Sequence, residues 1–308
     1  MKREACFLID DTIWVFRDLT RERPKSMFDN PFLALLKEAH DKYGMKVQLN
    51  CFYRTDFFYG EEEFTLADMT DAYKKEWEEA SDWLRLAFHA KQEFPDYPYI
   101  NADYDDVKRD FDALKKEVVR FAGEKAFAKS VLPHWMPISK DAVRALYDGG
   151  IKVLCCSAGE KREYNGDPNS LPYGHAARLL HNRKPETMLY QRGGLNKAID
   201  NSICGYNHIT TEERESILYN TKTIPDEETK MRFALTSNAP CLNLCDEEYL
   251  VNGIKANVGK EYIGHVTHEQ YFYKDYYNYQ PDYGAKVLAA ARTLWENGYT
   301  YIFFEEHE

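Results

Sequence analysis

Apolar runs of strand length recur along this chain of 308 residues, and each gives way to a stretch with helical periodicity. Residues 6–12, 45–53, 84–89, 130–135 and 151–156 read as strands. Between them the helices are well punctuated. Asn30 then Pro31 is an N-cap followed by proline at the first helical position; Phe32, Leu35, Leu36 and Ala39 make one apolar face, and Gly44 stops the helix. Charged helical sequence runs from about Thr65 to Trp83, and Arg17 to Lys25 reads as a basic turn. A helix over about Asp103 to Ala122 carries Val107, Phe111, Leu114 and Val118 on one stripe, and Ser139 caps another that closes at Gly149-Gly150. Strand–helix alternation of this kind predicts an α/β fold, a parallel sheet with helices outside it.

From residue 157 to 260 the alternation breaks down into Gly, Pro and Asn turns, with strands expected at Ser202–Ile209, Met231–Thr236 and Leu242–Asp246. This region reads as an insertion, a small β subdomain or a lid, within one barrel domain spanning 1–308. The alternation resumes with a strand at Tyr262–Thr267. A helix follows from Pro281 to Asn297, with Val287, Leu288, Ala291, Leu294 and Trp295 facing in, and Tyr299–Phe304 is the last strand.

A net charge of −11 argues against a broad nucleic-acid surface and against adhesion to an anionic membrane. No apolar segment is long enough for a signal peptide or a membrane span. The cysteines are odd in number, sit mostly in apolar runs and form no CxxC, which fits reduced thiols in a cytoplasmic protein.

In parallel α/β folds the functional residues stand at the carboxyl ends of strands. Asp10, Asp11, His89, His134 and His268 all fall there. Two adjacent carboxylates at a strand end can divide the work: one holds a cation while the other stays free as a base. His265 and His268 are three apart, so on an ideal strand they face opposite ways. His268, at the end, is the one expected in the mouth.

The blocks resemble, in order and spacing, the polysaccharide deacetylase superfamily (carbohydrate esterase family 4 and its glycoside hydrolase/deacetylase relatives). The resemblance covers residues 5–156 and 260–305. It implies an incomplete or distorted (β/α) barrel of about seven parallel strands and a divalent metal, usually zinc. Phe7-Leu8-Ile9-Asp10-Asp11 is similar to the family's first motif, which implies Asp10 as base and Asp11 as metal ligand. His89-Ala90-Lys91-Gln92-Glu93 keeps the i, i+4 spacing of the second motif with Glu in place of a second His. Glu is an acceptable zinc ligand, although a loop Glu beside Lys91 is as readily just solvated. His134-Trp135-Met136-Pro137 stands where the family has an Arg and a Pro–aromatic pair, and His134 is a candidate for the ligand that the second motif lacks. The fifth strand has neither the Asp nor the Trp of the fourth motif. Residues 263–268, then the helix, then Gly298-Tyr299-Thr300-Tyr301, resemble the last motif.

Together these imply a metal-dependent hydrolase that deacetylates a small carbohydrate or glycan. Asp11, His89, His134 and Glu93 are the candidate ligands, Asp10 the base and His268 the general acid. Trp14, Tyr99, Trp135 and His265 are candidate substrate contacts; for the aromatic rings ordinary packing is the competing role. Two alternatives stay open. One is a metal-independent glycoside hydrolase using Asp10 or Asp11 with Glu93, Asp246 or Glu269. The other is an inactive barrel that binds a glycan or a partner protein, as the departures in the third and fourth motifs allow.

Overall fold

The computed structural model of the protein describes residues 2–56, 63–94, 98, 99, 102–136, 138–156, 202, 203, 224, 225, 229–235 and 237–306. The first strand, β1 (Glu4–Thr12), is buried along its whole length. It is followed by α1 (Trp14–Glu22), α2 (Pro31–Tyr43), β2 (Val47–Phe52), α3 (Lys74–Ala80), β3 (Leu84–Ala90) and α4 (Tyr104–Ala122). Then come β4 (Ser130–Val131), β5 (Ile138–Ser139), α5 (Lys140–Asp148) and β6 (Val153–Cys156). After β7 (Ser202–Ile203), β8 (Ile224–Pro225) and β9 (Arg232–Leu235), the chain runs through α6 (Glu247–Asn257), β10 (Tyr262–His268), α7 (Tyr283–Glu296) and β11 (Thr300–Tyr301).

Strands β10, β1, β2 and β3 pair in parallel in that order, and β11 pairs in parallel with the first residues of β1. A second sheet joins β4, β6 and β9 in parallel, with β8 antiparallel on its edge. Backbone hydrogen bonds link the sheets on both sides. Ala128 N donates to Leu86 O and His134 N to His89 O, while Asn238 N and Ala239 N donate to Gly264 O of β10. The result is the α/β architecture expected, a distorted parallel barrel. Helices cover the strands on the outside, so β1, β2 and β3 are buried on both faces and read as nearly continuous apolar runs.

Several elements differ from the sequence reading. Residues 17–25 are not a basic turn throughout, because α1 occupies Trp14–Glu22. Its N-terminus has no side-chain cap of its own; the amides of Ile13, Trp14 and Val15 donate to the carboxylate of Glu269 at 2.7–2.8 Å. A cap some 250 residues away leaves no local signal. The helical stretch at 65–83 is a 3-10 turn at Leu66–Asp68 and the shorter α3. Leu242–Asp246 is not a strand: Leu242–Leu244 is a 3-10 turn, and Asp246 caps α6 by accepting from Tyr249 N. Trp295, expected inside, is 55 % exposed. The strands at 130–135 and 299–304 shrink to two residues each. Of the strand expected at Ser202–Ile209, residues 202 and 203 pair with β5 and the rest lie outside the described residues, as does most of 157–228.

Candidate metal centre

Neighbouring residues on a regular strand point to opposite faces, so Asp10 and Asp11 need an irregularity to serve one site. The register between β1 and β2 shifts between Ile9 and Thr12, and Asp11 stands at φ 60°, in the left-handed region that Asp tolerates better than most residues. The pairing of β2 with β3 slips in the same way: Cys51 lies opposite Phe88 but Phe52 opposite Ala90, so His89 is the extra residue. After β4 the chain turns at His134, with Trp135 and Met136 both at positive φ (62° and 72°). Three local distortions thus aim Asp11, His89 and His134 at one point.

The resulting triangle is small and regular. His89 Nε2 lies 3.2 Å from Asp11 Oδ1, His134 Nδ1 lies 3.3 Å from the same oxygen, and the two imidazole nitrogens are 3.1 Å apart. All three residues are buried. The far nitrogens face backbone carbonyls, His89 Nδ1 that of Leu132 at 2.5 Å and His134 Nε2 that of Glu93 at 2.9 Å. A carbonyl only accepts, so each far nitrogen carries the proton and each near nitrogen presents its lone pair. The third corner, Asp11 Oδ1, is buried without a hydrogen-bond donor among the described residues. Asp11 Oδ2 accepts from Gln270 Nε2 at 2.8 Å, which fixes the carboxylate's rotation.

Three lone pairs converge, and one added proton can satisfy only one edge of the triangle. A cation satisfies all three. Ligand atoms at zinc distances on a tetrahedral ion lie about 3.3 Å apart, close to the edges observed. Two nitrogens and one oxygen, with the fourth position open to a cleft, are a donor set that zinc and its neighbours accept.

That cleft has a volume of about 770 Å³ out to its open mouth. Asp10, Asp11, His89, Glu93, His134, Trp135 and His268 line it. Asp10 pairs in register with His268 at the ends of β1 and β10. Burial pushes Asp10 up to about 7, against His89 and the Asn50 hydrogen bond, with the Asp11 charge adding to the rise. Burial pushes His268 down, against the pull of Asp11. Its Nδ1 lies 2.9 Å from Asn243 Oδ1 and donates to it, and the residue lines the cleft.

Glu93 lines the cleft without joining the triangle, and Trp14, Tyr99 and His265 stand outside the cleft. The nearest approach of the Glu93 carboxylate to His134 is 3.9 Å, to Nε2, the nitrogen turned away from Asp11; the carboxylate is not part of the triangle. Trp14 is packed against Tyr273 and Tyr276 with the Arg17 guanidinium 4.9 Å over its ring, beside a smaller recess next to Asp11. Tyr99 is buried against Phe88, its hydroxyl held by Lys91 N and Asp110, and it does not reach the cleft. His265 is wholly enclosed between Phe7 and Tyr301, with both ring nitrogens unpartnered among the described residues, and it does not line the cleft. Asp246 and Glu269, the alternative carboxylates, are spent on capping α6 and α1.

Sequence reasoning missed Asn50, Gln270 and Asn243. For Asn50 a signal exists: Gln48 and Asn50 alternate with Val47, Leu49 and Cys51, a polar face inside an apolar strand. Gln270 and Asn243 sit on short 3-10 segments beside β10 and carry no local pattern.

No family model matches the sequence, and no curated protein matches it. Among solved structures the chain is similar to the 4-α-glucanotransferase from Thermococcus litoralis, with a TM-score of 0.54 and 12% identity. The match covers 100% of this chain and 40% of that one, so the chain spans about two-fifths of that protein's length. It is also similar to a family 4 acetyl xylan esterase from Clostridium thermocellum (TM-score 0.44, 11% identity, covering 99% and 89%). A polysaccharide deacetylase from Bacillus cereus gives 0.43 and 13%, covering 99% and 95%. The first likeness is one of fold alone, and the other two are weaker still.

Proposed function

We propose that the protein is a divalent-metal-dependent hydrolase that removes an acetyl group from a carbohydrate-type substrate. The observation that carries this reading is the convergence of the His89 and His134 lone pairs on the unpartnered Oδ1 of Asp11. A divalent cation held by Asp11, His89 and His134 would supply Lewis acidity toward an acyl carbonyl and a water. Asp10, beside the triangle and raised by burial to about 7, takes the proton of the attacking water. His268, in register with Asp10 on the neighbouring strand, would serve as general acid in its doubly protonated form, passing the Nε2 proton to the leaving nitrogen or oxygen and regaining one from the proton that Asp10 took. Trp135, Tyr271, Tyr276 and Tyr277 line the same cleft and offer flat apolar surfaces for a sugar ring. The motif resemblance directs the choice of an acetylated carbohydrate, and zinc is the first metal to try.

The test is metal content and acetate release on protein purified without chelator. We expect close to one zinc, cobalt or nickel ion per chain and acetate release from N-acetylated chito-oligosaccharides or acetylated xylan that a strong chelator abolishes. Asp10→Asn should keep the metal and lose roughly a hundredfold or more in kcat. A chain that neither carries nor takes up a divalent transition metal would refute the reading.

A further inference from the structure

The interior of a parallel barrel is ordinarily filled by branched apolar side chains. Here a polar column runs through it. Gln48, Asn50 and Ser130 are 1 %, 0 % and 0 % exposed, and they connect the mouth of the barrel to its far end. Asn50 Nδ2 donates to Asp10 Oδ1 at 2.6 Å. Asn50 Oδ1 accepts from Gln48 Nε2 at 2.8 Å, and Gln48 Oε1 lies 2.6 Å from Ser130 Oγ. Ser130 Oγ is 2.6 Å from Glu305 Oε2, and Glu305 is held by Arg85 at 2.8 Å and by Lys129 N at 3.1 Å. Asn50 and Gln48 each have a partner on either side, a requirement for burying such groups at all; the single Ser130 hydroxyl proton goes to one of its two acceptors, Gln48 Oε1 or Glu305 Oε2.

The chemistry of the amides gives the column a direction. An amide side chain is nearly symmetric in shape, so packing does not decide whether Asn50 offers Asp10 its N–H or its carbonyl. Gln48 decides it: with Nε2 donating to Asn50 Oδ1, the Asn50 N–H must face Asp10. Gln48 is held in turn by the backbone carbonyl of Ser130, which only accepts and lies 3.5 Å from Nε2. Asp10 Oδ1 is thereby engaged from below, while Oδ2, which has no hydrogen-bond partner among the described residues, belongs to the cleft that Asp10 lines.

We propose that Gln48 is a positioning residue for Asp10, acting through Asn50 and anchored at Ser130 toward the opposite end of the barrel. Its consequence for turnover rests on the reading of Asp10 as the proton acceptor. The consequence for stability does not.

Gln48→Met fills the same space without an N–H and touches neither Asp10 nor the triangle. On zinc-loaded protein with N-acetylated chitotriose as probe, it should lower kcat about tenfold or more at unchanged KM and zinc content. Added to Asn50→Leu it should cause no further loss, because Asn50 carries the effect. Independently of turnover, Asp10→Asn and Gln48→Met should be coupled in stability although the residues do not bond to each other. The melting temperature of the double variant should differ by about 2 °C or more from the sum of the single shifts. A wild-type kcat in Gln48→Met, or the same loss with and without Asn50→Leu, overturns the positioning role. Additive melting shifts overturn the column itself. An intact coupling in a protein that turns over no acetylated probe leaves the column standing and removes the deacetylase reading instead.

Discussion

His265 gives the sharpest quantitative test of the packing. It sits in the middle of β10, wholly buried, with Phe7 edge-on at 5.6 Å and Tyr301 stacked at 6.4 Å, and neither ring nitrogen has a partner among the described residues. Burial alone pushes its pKa from 6.5 down to about 3. The unfolded chain therefore takes up the proton first as pH falls. Stability from this residue is fully present above about pH 6.5 and is lost progressively toward about pH 3. Between about pH 7.5 and about pH 5 the folded protein binds almost no proton at His265, so the unfolded chain sets the slope. The loss over that window is about 2 kcal/mol. Asp10 and Glu269, both raised to about 7, act with the opposite sign: their contribution is present at low pH and lost as pH rises through about 7. A comparison with His265→Phe isolates the histidine, because the carboxylates are common to both proteins. Urea unfolding at the two pH values, in chelator, should show the wild type losing about 2 kcal/mol more than the variant, roughly 4 °C in Tm. Equal pH dependence in the two proteins would show that His265 reaches a proton partner in the folded state, and the packing argument would fail.

The other expectations concern the triangle and its supports. His89→Ala should strip the metal, read by elemental analysis, while the chelated protein loses only about 1–3 kcal/mol, because the ring contributes contacts to Phe52 and one bond to Leu132 O. Stoichiometric metal in that variant would remove His89 from the site. Chelation of the wild type should lower Tm by roughly 5 °C if the metal had been present at about a hundred times its Kd, worth about 2.7 kcal/mol. Glu269→Gln turns one carboxylate oxygen into a donor facing the amides at the start of α1. It should cost about 1.5–3 kcal/mol by urea unfolding. A variant as stable as the wild type would show that α1 needs no distant cap.

Much of the frame was legible in residue order. The periods of the apolar residues, the Asn30-Pro31 start and Gly44 stop of α2, and the Ser139 cap of α5 are local signals, read from a few neighbouring residues. The strand ends were legible too, and with them Asp10, Asp11, His89, His134 and His268, because a parallel barrel collects its strand ends on one face. What the sequence could not carry was anything that depends on a partner far along the chain. Helix α1 looks like a turn until Glu269 is brought to its N-terminus. Glu93 has the right spacing for a ligand, but the chain turns it to the outer side of His134. Spacing put His265 and His268 on opposite faces, but only the packing encloses His265 between Phe7 and Tyr301 and leaves His268 on the cleft. Above all, two adjacent acids on a strand point apart unless the register slips. The slip at Asp11 and the matching one at His89 exist only in the pairing of β1, β2 and β3. Sequence periodicity determined which residues reach the mouth of the barrel; hydrogen-bond register, a property of pairs of strands, decided which of them face one another.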